Sequence, residues 1–464
     1  MTDKHLDAGD HISGAETEPS DRVAAIGQRG GQRFKHVATT FSRLIRRVEF
    51  LAILDQIVVS AANFLTGAII GRVCAKDEFG LYMLGLSIVF IVMAPQTSLI
   101  SPPYTVFSPR LDASARATLT GSVVVHQLLV TALIALGLAT VALALPAAGT
   151  DANMPFVIQA LATVIVFILF KEFARSICFA IMDFKLALFL DAISSLLQVF
   201  MLVALAEAGS LNARTSFVAI GIASGVGAMV WLLRFRRNIE ITAGDVVQDF
   251  RKHVKFGKWL FFSIVIWSLW SNSYPWILTR YHGTETTGVF AACMGVIAFA
   301  NPIANAIGNF VGPRIAHSYA ELGVASVRRS VMVLVIRIAW LVAPLCVILI
   351  SFGNWIAIFI YGGKYAGLGL EIGVLTLSFF VTAVSMPLAR SLQAMERPDV
   401  DFVVNLFPLL VMILVGIPLV KSLGVVGAAC GLLAGNLVAA GARALALWRL
   451  TKRGGFPKSD VWGG

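Results

Sequence analysis

The chain is poor in charged residues. Only 14% of its 464 residues are Asp, Glu, Lys or Arg, whereas soluble domains carry about 25%. Its five cysteines form no CxxC pair, which argues against a disulfide framework or a zinc site. The sequence lacks a G-x-x-x-x-G-K-[ST] loop and a G-x-S-x-G turn, which argues against an ATP-driven motor and a serine hydrolase. We therefore predict no metal, no cofactor and no enzymatic activity.

Apolar residues take the place of the missing charges. They make up 58% of the chain, and the mean hydropathy is +0.82. A bilayer core of about 30 Å takes about 20 apolar residues per helix. We predict twelve transmembrane helices, at 50–71, 79–102, 119–145, 154–175, 184–207, 214–233, 257–280, 287–312, 330–352, 369–390, 400–421 and 424–448. Residues 352–365 are too few to span, and we expect a re-entrant or interfacial piece there.

Positive charge is unevenly divided between the two sets of loops. The loops on one side carry most of the 37 Lys and Arg residues, with clusters at 43–47, 234–258 and 449–458. The positive-inside rule therefore predicts that both termini are cytoplasmic. This asymmetry also explains the net charge of +11. The sequence has no run of basic residues interleaved with aromatic residues, so nothing in it indicates binding to nucleic acid.

The sequence repeats itself after about 210 residues. Arg72 lies eight residues before Gly80, and Arg280 lies eight residues before Gly288. Two further pairs are Ser108-Pro109-Arg110 with Gly312-Pro313-Arg314, and Arg175-Ser176 with Arg390-Ser391. Matches in the same order predict a duplicated six-helix unit, with both copies in one orientation. A cleft between such repeats is where transporters bind substrate.

The predicted organisation follows from the spans and the repeat. It is an all-α integral membrane protein with two pseudo-symmetric six-helix bundles. The predicted segments are a disordered cytoplasmic tail at 1–33, an amphipathic juxtamembrane helix at 34–48, the N-terminal bundle at 49–234, a cytoplasmic linker at 235–256, the C-terminal bundle at 257–449 and a cytoplasmic tail at 450–464.

Two polar stripes run along predicted spans. Each has a spacing of three or four residues, which places its members on one helix face. The stripes consist of Gln56, Ser60, Asn63 and Gly67 on the first span, and of Asn301, Asn305 and Asn309 on the eighth. Amides and hydroxyls suit sugar hydroxyls, which both donate and accept hydrogen bonds. The stripes indicate a hydrophilic cleft wall, although hydrogen bonds between helices require the same residue types.

Five arginines are candidate substrate ligands. Arg72 and Arg280 lie at equivalent ends of the first and seventh spans, and Arg110 and Arg314 at equivalent ends of the second and eighth. Guanidinium groups bind phosphate oxygens in pairs and stay charged, which suits a pyrophosphate head group. Membrane orientation alone also explains Arg110 and Arg314. Arg337 lies within the ninth span, where it can snorkel, line the cleft or pair with a carboxylate.

Asp55 and Asp191 are the acidic candidates for ion coupling. Both lie within predicted spans, where a carboxylate needs a partner or a function. Asp191 is a candidate partner for Arg337. Asp55 lies close to the end of its helix, so a nearby arginine offers a purely structural explanation.

Three segments of the sequence carry a family resemblance. They are the first-span segment from Leu54-Asp55-Gln56 to Thr66-Gly67, Arg72 with the segment Glu78-Phe79-Gly80-Leu81-Tyr82, and Tyr361-Gly362-Gly363-Lys364-Tyr365. These segments resemble bacterial polysaccharide-exporting flippases of the multidrug/oligosaccharidyl-lipid/polysaccharide (MOP) exporter superfamily. The resemblance extends from about residue 41 to about residue 450. It implies a fold like that of the MATE transporters, with a central cavity lined mainly by helices 1, 2, 7 and 8.

The same resemblance implies a function. The expected substrate is an undecaprenyl-diphosphate-linked oligosaccharide, moved by alternating access across a bacterial inner membrane. The expected partners are this substrate, membrane lipids and other polysaccharide-assembly proteins. Two alternatives stay open at this point: a cation-coupled multidrug exporter of the same superfamily, and a membrane glycosyltransferase, polymerase or ligase. The sequence lacks the large outer loop that an enzyme of the second kind would need, which argues against that alternative.

Overall fold

A computed structural model describes residues 50–144, 153–395 and 398–452, and in these ranges the secondary structure is helical without a strand. The predicted tail at 1–33, the predicted amphipathic helix at 34–48 and residues 453–464 lie outside the described residues. The first six helices are α1 (Phe50–Val73), α2 (Lys76–Arg110), α3 (Ala113–Ala144), α4 (Met154–Ala180), α5 (Phe184–Glu207) and α6 (Ala213–Phe235).

The second half contains helical runs too long for one crossing. The runs Ala243–Ala304 and Val400–Lys452 have 62 and 53 residues, or about 93 and 80 Å if straight. Each reverses at a glycine with positive φ, Gly283 at 84° and Gly424 at 57°. Side chains of L-residues disfavour this backbone conformation, so glycine is required there.

A third reversal lies within the run Asn301–Tyr361. The hydroxyl oxygens of Ser318 and Ser330 are 2.9 Å apart, although twelve residues of straight helix extend about 18 Å. The helices of the second half are therefore α7 (243–282), α8 (284–326), α9 (Val327–Tyr361), α10 (Gly369–Ala394), α11 (398–423) and α12 (425–452). Ten stretches of the described residues are long and apolar enough to cross a membrane, and two of them reverse, which gives the twelve helices that the sequence predicts.

Helix α9 differs from the sequence-based prediction. It continues without a break to Tyr361, so the prediction of a re-entrant or interfacial piece that begins at Phe352 is wrong. Apolar residues such as Trp355 and Phe359 continue the helix, and Gly362, with φ of 91°, ends it. The following Gly363–Tyr365 forms a short 3-10 turn. Helix α7 begins at Ala243, inside the segment predicted as a linker.

Burial separates central from peripheral helices. In the most apolar stretch of α4, 61% of the residues are buried, against 17% in α3. Helix α4 therefore forms the core of the first half, where Leu161, Ile165 and Phe173 are fully buried. The large exposed side chains along the middle of α3 are apolar, such as Leu133 and Leu136. An apolar exposed face is what a helix presents to lipid.

Helices α2 and α8 meet in a reciprocal contact. A Cβ atom added to Gly80 would lie 2.0 Å from the carbonyl oxygen of Thr284, and one added to Gly288 would lie 1.9 Å from that of Lys76. At the repeat offset of 208, Gly288 is the counterpart of Gly80 and Thr284 is that of Lys76, so each glycine contacts the fourth residue before its counterpart. Residue i touching j' while i' touches j is the mark of a two-fold axis. The pseudo-symmetry axis therefore passes between these two glycines.

The end of the bundle that carries this contact, here named the closed end, is packed by Tyr361. Its ring lies between α1 and α8, where Cβ atoms on Gly71 and Gly295 would come within 2.6 and 1.9 Å of it. The Phe79 ring of α2 lies 5.8 Å from the Tyr361 ring, and Tyr361 is 1% exposed. One aromatic side chain of the second half thus fills the space between the two halves.

Polar contacts also join the two halves at the closed end. Lys364 Nζ donates to the carbonyl oxygens of Arg72 and Cys74, at 3.2 and 2.5 Å. Lys76 Nζ and Glu285 Oε1 form an ion pair at 3.1 Å. Partial burial lowers the pKa of Lys364. The opposite end, here named the linker end, carries the connection between α6 and α7.

We expect Gly80→Ala to separate α2 from α8, because a methyl group there meets backbone that cannot turn aside. The measurement is disulfide cross-linking of cysteines placed at Lys76 and Glu285 in a chain without its native cysteines. Cross-linking should fall several-fold in Gly80→Ala and in Gly288→Ala. Gly137→Ala, which meets open space, is the matched control. Undiminished cross-linking in both test variants would contradict the close backbone contact.

Candidate functional site

Arg72 and Arg280 occupy equivalent positions but have different surroundings. Arg72 is exposed, and its Nη1 donates to the carbonyl oxygens of Phe359 and Ile360, at 2.8 and 3.2 Å. These carbonyls belong to the last turn of α9, where unpaired oxygens favour a cation. Arg280 is also exposed and makes no hydrogen bond or ion pair with the described residues. The closed end thus carries one docked guanidinium and one that projects freely.

The polar stripe of α1 is separate from the apolar surface of that helix. Asn63 is exposed, Gln56 is half-buried and donates to Ser60 Oγ at 3.2 Å, and Gly67 borders open space. The exposed apolar residue Ile57 lies about 120° around the helix from Asn63. Asn63 is therefore exposed on a different face from the one that suits lipid.

The stripe of α8 begins at a change of helix geometry. A 3-10 turn at Ala298–Ala300 precedes Asn301, which is exposed. The helical backbone continues through Asn305 and Asn309, but their side chains lie outside the described part of the structure. Asn301 thus places one amide on the surface of α8, midway along the helix.

Three arginines lie farther from the closed end. Arg110 ends a 3-10 turn at the end of α2, and Arg110 and Arg314 are both exposed. Arg337 is exposed on α9 between Ile336 and Trp340, which are 52% and 79% exposed. The predicted pairing of Arg337 with Asp191 is wrong, because the carboxylate of Asp191 has other partners.

Asp55 and Asp191 form a buried ion cluster in the first half. Arg175 Nη2 donates to Asp55 Oδ2 at 2.7 Å, and Arg175 Nε donates to Asp191 Oδ2 at 2.5 Å. Lys171 Nζ pairs with Asp191 Oδ1. Both aspartate side chains are at most 1% exposed. Two cations of α4 therefore hold together one carboxylate from α1 and one from α5.

Sequence reasoning missed the cations of this cluster. Lys171, Glu172 and Arg175 fall within one turn of the otherwise apolar α4, and three charges in one turn of a span were the available signal. Removal of one partner of a buried ion pair lowers the free energy of unfolding by about 3–5 kcal/mol, because the other charge is left buried without compensation. The cluster therefore fixes the relative position of α1, α4 and α5.

An apolar groove of about 740 Å³ lies between α1, α8 and α9. Its lining consists of Phe64, Ala68, Phe299, Leu345, Ile348, Leu349, Ile356, Phe359, Ile360 and, as the single charged side chain, Arg72. The rings of Phe64 and Phe299 are 4.3 Å apart, so α1 and α8 touch beside the groove. An apolar ligand chain bound in this groove would contact the guanidinium of Arg72 at one end.

The described residues contain no group of three or more His, Cys, Asp and Glu side chains that could hold a metal ion. The five cysteines are free thiols, of which four are buried. The chemistry that the site offers is therefore binding by amides, guanidinium groups and apolar surface.

Solved structures of the same fold are transporters. The chain is similar to a multidrug resistance MATE family transporter of the MOP superfamily in an inward-facing conformation, with a TM-score of 0.69, 14% identity and coverage of 87% of this chain and 98% of that one. An outward-facing structure of such a transporter gives a TM-score of 0.59 at 14% identity, with coverage of 88% and 95%. A MOP superfamily transporter from Pyrococcus furiosus gives 0.61 at 15%, with coverage of 88% and 95%.

The sequence comparison identifies the family. The model of a family described as polysaccharide biosynthesis protein matches residues 112–370, which is more than half of the chain. No relative was found among curated protein sequences. The family match and the fold together confirm the resemblance found in the first helix. The chain belongs to the polysaccharide biosynthesis protein family, as a multi-pass membrane protein with the fold of the MOP superfamily of transporters.

Proposed function

We propose that this protein moves a lipid-linked oligosaccharide, carried on undecaprenyl diphosphate, across a bacterial inner membrane for the synthesis of surface or secreted polysaccharide, O-antigen included. The observation that carries the proposal is the exposure of Asn63 and Asn301 midway along membrane helices. Exposed amides are costly in lipid, so they indicate a water-filled cleft between the halves. The match to a polysaccharide biosynthesis family favours a glycan in that cleft.

The charges and the groove support a head-and-tail arrangement. In this proposal Gln56, Asn63, Asn301, Asn305 and Asn309 contact the sugar hydroxyls. The free guanidinium of Arg280 and the remaining donors of Arg72 bind the diphosphate, and Arg110, Arg314 and Arg337 attract the anion from farther away. The apolar groove takes the first part of the lipid tail.

The positions of the closed end and the linker end support alternating access. The positive-inside rule places the linker end, with Arg234, Arg236 and Arg237, in the cytoplasm. In this proposal the closed end faces outward, and the protein takes up its substrate from the cytoplasm. Release on the other side requires α2 and α8 to separate at Gly80 and Gly288.

Asp55 and Asp191 remain our candidates for ion coupling. Protonation of either carboxylate would remove one counter-charge of Arg175 and loosen the connection between α1, α4 and α5. Helix α1 carries part of the sugar stripe, so the state of the cluster bears directly on the cleft wall.

A multidrug exporter is the second candidate. Its support is the fold, since the structures described above include MATE multidrug transporters. The family match and the amide-rich stripes favour the glycan. A glycosyltransferase, polymerase or ligase has less support, because family and fold are those of transporters.

We expect Arg72→Ala combined with Arg280→Ala to stop the export of glycan, because the diphosphate loses its charged ligands. The measurement is surface polysaccharide together with lipid-linked precursor on the cytoplasmic side, in the native host at matched protein levels. We expect at least a roughly tenfold loss, since a hydrogen bond to a charged group contributes about 1.5–3 kcal/mol. The exposed Arg214 also lies at the closed end, and Arg214→Ala is the matched control.

The deletion strain tests the function separately from the residues. Normal surface glycan in a strain without this gene or any paralogue would contradict the flippase and favour the drug exporter. A deletion defect combined with normal export by the double variant would keep the function and remove the two arginines from the site.

We expect Asp191→Asn to lower the thermal unfolding midpoint of the purified protein more than Asp55→Asn, because Asp191 pairs with two cations and Asp55 with one. The expected cost is about 3–5 kcal/mol for the first substitution. Equal midpoints for wild type and both variants would show that the cluster does not support the fold.

The same variants test coupling. If Asp55 couples transport to protons, export by Asp55→Asn at a matched protein level should lose its dependence on the pH gradient. Export that keeps the wild-type dependence in both aspartate variants would remove them as coupling residues.

A further inference from the structure

A polar cavity of about 300 Å³ lies inside the C-terminal half, between α7, α10, α11 and α12. It is separate from the apolar groove and from the stripes of α1 and α8. The side chains that matter for its chemistry are Trp267, Trp270, Arg390, Asp401, Asn405 and Arg443. Its position in the fold matches that of the buried ion cluster in the N-terminal half.

The repeat relates the cavity to that cluster residue by residue. Asp55 and Ser263 are separated by 208 residues, the offset of the glycine pair at the closed end. Arg175 and Arg390 belong to the repeated Arg-Ser pair. The four equivalent pairs are Asp55 with Ser263, Lys171 with Met386 and Arg175 with Arg390 at an offset of 215, and Asp191 with Asn405 at an offset of 214.

Only the arginine keeps its charge in the second half. In the first half its guanidinium binds two carboxylates, whereas Ser263 and Asn405 stand at those two places in the second. Arg390 Nη1 donates instead to the amide oxygen of Gln393, at 3.0 Å. The four positions thus hold two cations and two anions in the first half, but a single cation, Arg390, in the second half.

The other charges of the cavity compensate one another. Arg443 Nε pairs with Asp401 Oδ1 at 3.4 Å, and Arg443 Nη2 donates to Asn405 Oδ1 at 3.0 Å. Asn405 Nδ2 in turn donates to Ser263 Oγ at 3.0 Å. The surplus positive charge therefore belongs to Arg390, which has no carboxylate partner among the described residues.

We propose that this cavity binds the carboxylate of an acidic sugar, such as a uronic acid, through Arg390. The proposal rests on the proposed function and specifies it, since it makes the exported glycan acidic. Arg175 in the equivalent place of the first half binds carboxylates, and the ligand supplies an anion to Arg390, which pairs with no carboxylate among the described residues.

The size and the lining of the cavity fit a sugar unit. About 300 Å³ is the lower end of the range for ligand pockets, enough for one or two sugars. Trp267 is 49% exposed and offers an indole face for the apolar side of a pyranose. Trp270 is 4% exposed, and its Nε1 has no hydrogen-bond partner in the described structure. It supplies an unused donor for an oxygen of the ligand.

The test is a titration of the purified full chain in nanodiscs with glucuronate, followed by tryptophan fluorescence. The Trp267→Phe variant identifies the part of the signal that comes from the cavity. We expect saturable quenching by glucuronate and none by glucose. Arg390→Gln should weaken glucuronate binding at least roughly tenfold. Arg449→Gln, an exposed position on the same α12 as Arg443, is the control and should bind as wild type does.

Asp401→Asn gives an independent test that does not depend on the stability of Arg390→Gln. It removes the negative charge of Asp401, which lines the cavity, so glucuronate should bind several-fold more tightly. Equal binding of glucose and glucuronate would overturn the proposal, as would unchanged binding in both Arg390→Gln and Asp401→Asn. Inorganic pyrophosphate that displaces glucuronate at equal concentration would assign the site to the diphosphate of the lipid and overturn the sugar assignment.

Failure of this inference can be separated from failure of the proposed function. A deletion strain that loses its surface glycan while the protein ignores glucuronate leaves a flippase for a neutral glycan. Glucuronate binding in a protein whose deletion leaves the glycan intact overturns the flippase and keeps the acidic-sugar site.

Discussion

The contact of two backbones at Gly80 and Gly288 controls the arrangement of the two halves. Because both residues lack a side chain, α2 and α8 approach to the distance at which a methyl group would overlap a carbonyl oxygen. The contact lies on the pseudo-symmetry axis, so a shift there moves one half against the other. The other bridges of the closed end, from Tyr361 and Lys364, depend on this approach.

Much of this architecture follows from the sequence. The spans, the repeat and the offset between the two glycines are all one-dimensional patterns, and the structure has the helices that they predict. The reversal between α7 and α8 lies in the gap that the predicted spans leave at residues 281–286, and Gly283, with its positive φ, is the residue at which the chain turns. The apolar character of the segment after Phe352 could not decide between a longer helix and an interfacial piece.

The candidate site was less accessible to sequence reasoning. Stripes and terminal arginines are properties of one helix, and their positions could be predicted. Partners are properties of packing between helices. Arg175 and Asp55 are 120 residues apart, and no spacing rule connects them. For the same reason, the sequence left open whether Asp191 is a partner of Arg337, and the structure pairs Asp191 with Lys171 and Arg175 instead. The cavity of the second half combines residues from four helices, and no pattern within one helix predicts it.

The length of α9 explains why Arg337, which does not belong to the ion cluster, can remain charged without a carboxylate partner. Arg337 precedes Tyr361 by 24 residues, which is about 36 Å along a helix. Hydrocarbon in a bilayer is about 30 Å thick. A helix that placed Tyr361 at one boundary of this layer would therefore carry Arg337 beyond the other, at the level of the lipid head groups, where a guanidinium needs no carboxylate partner.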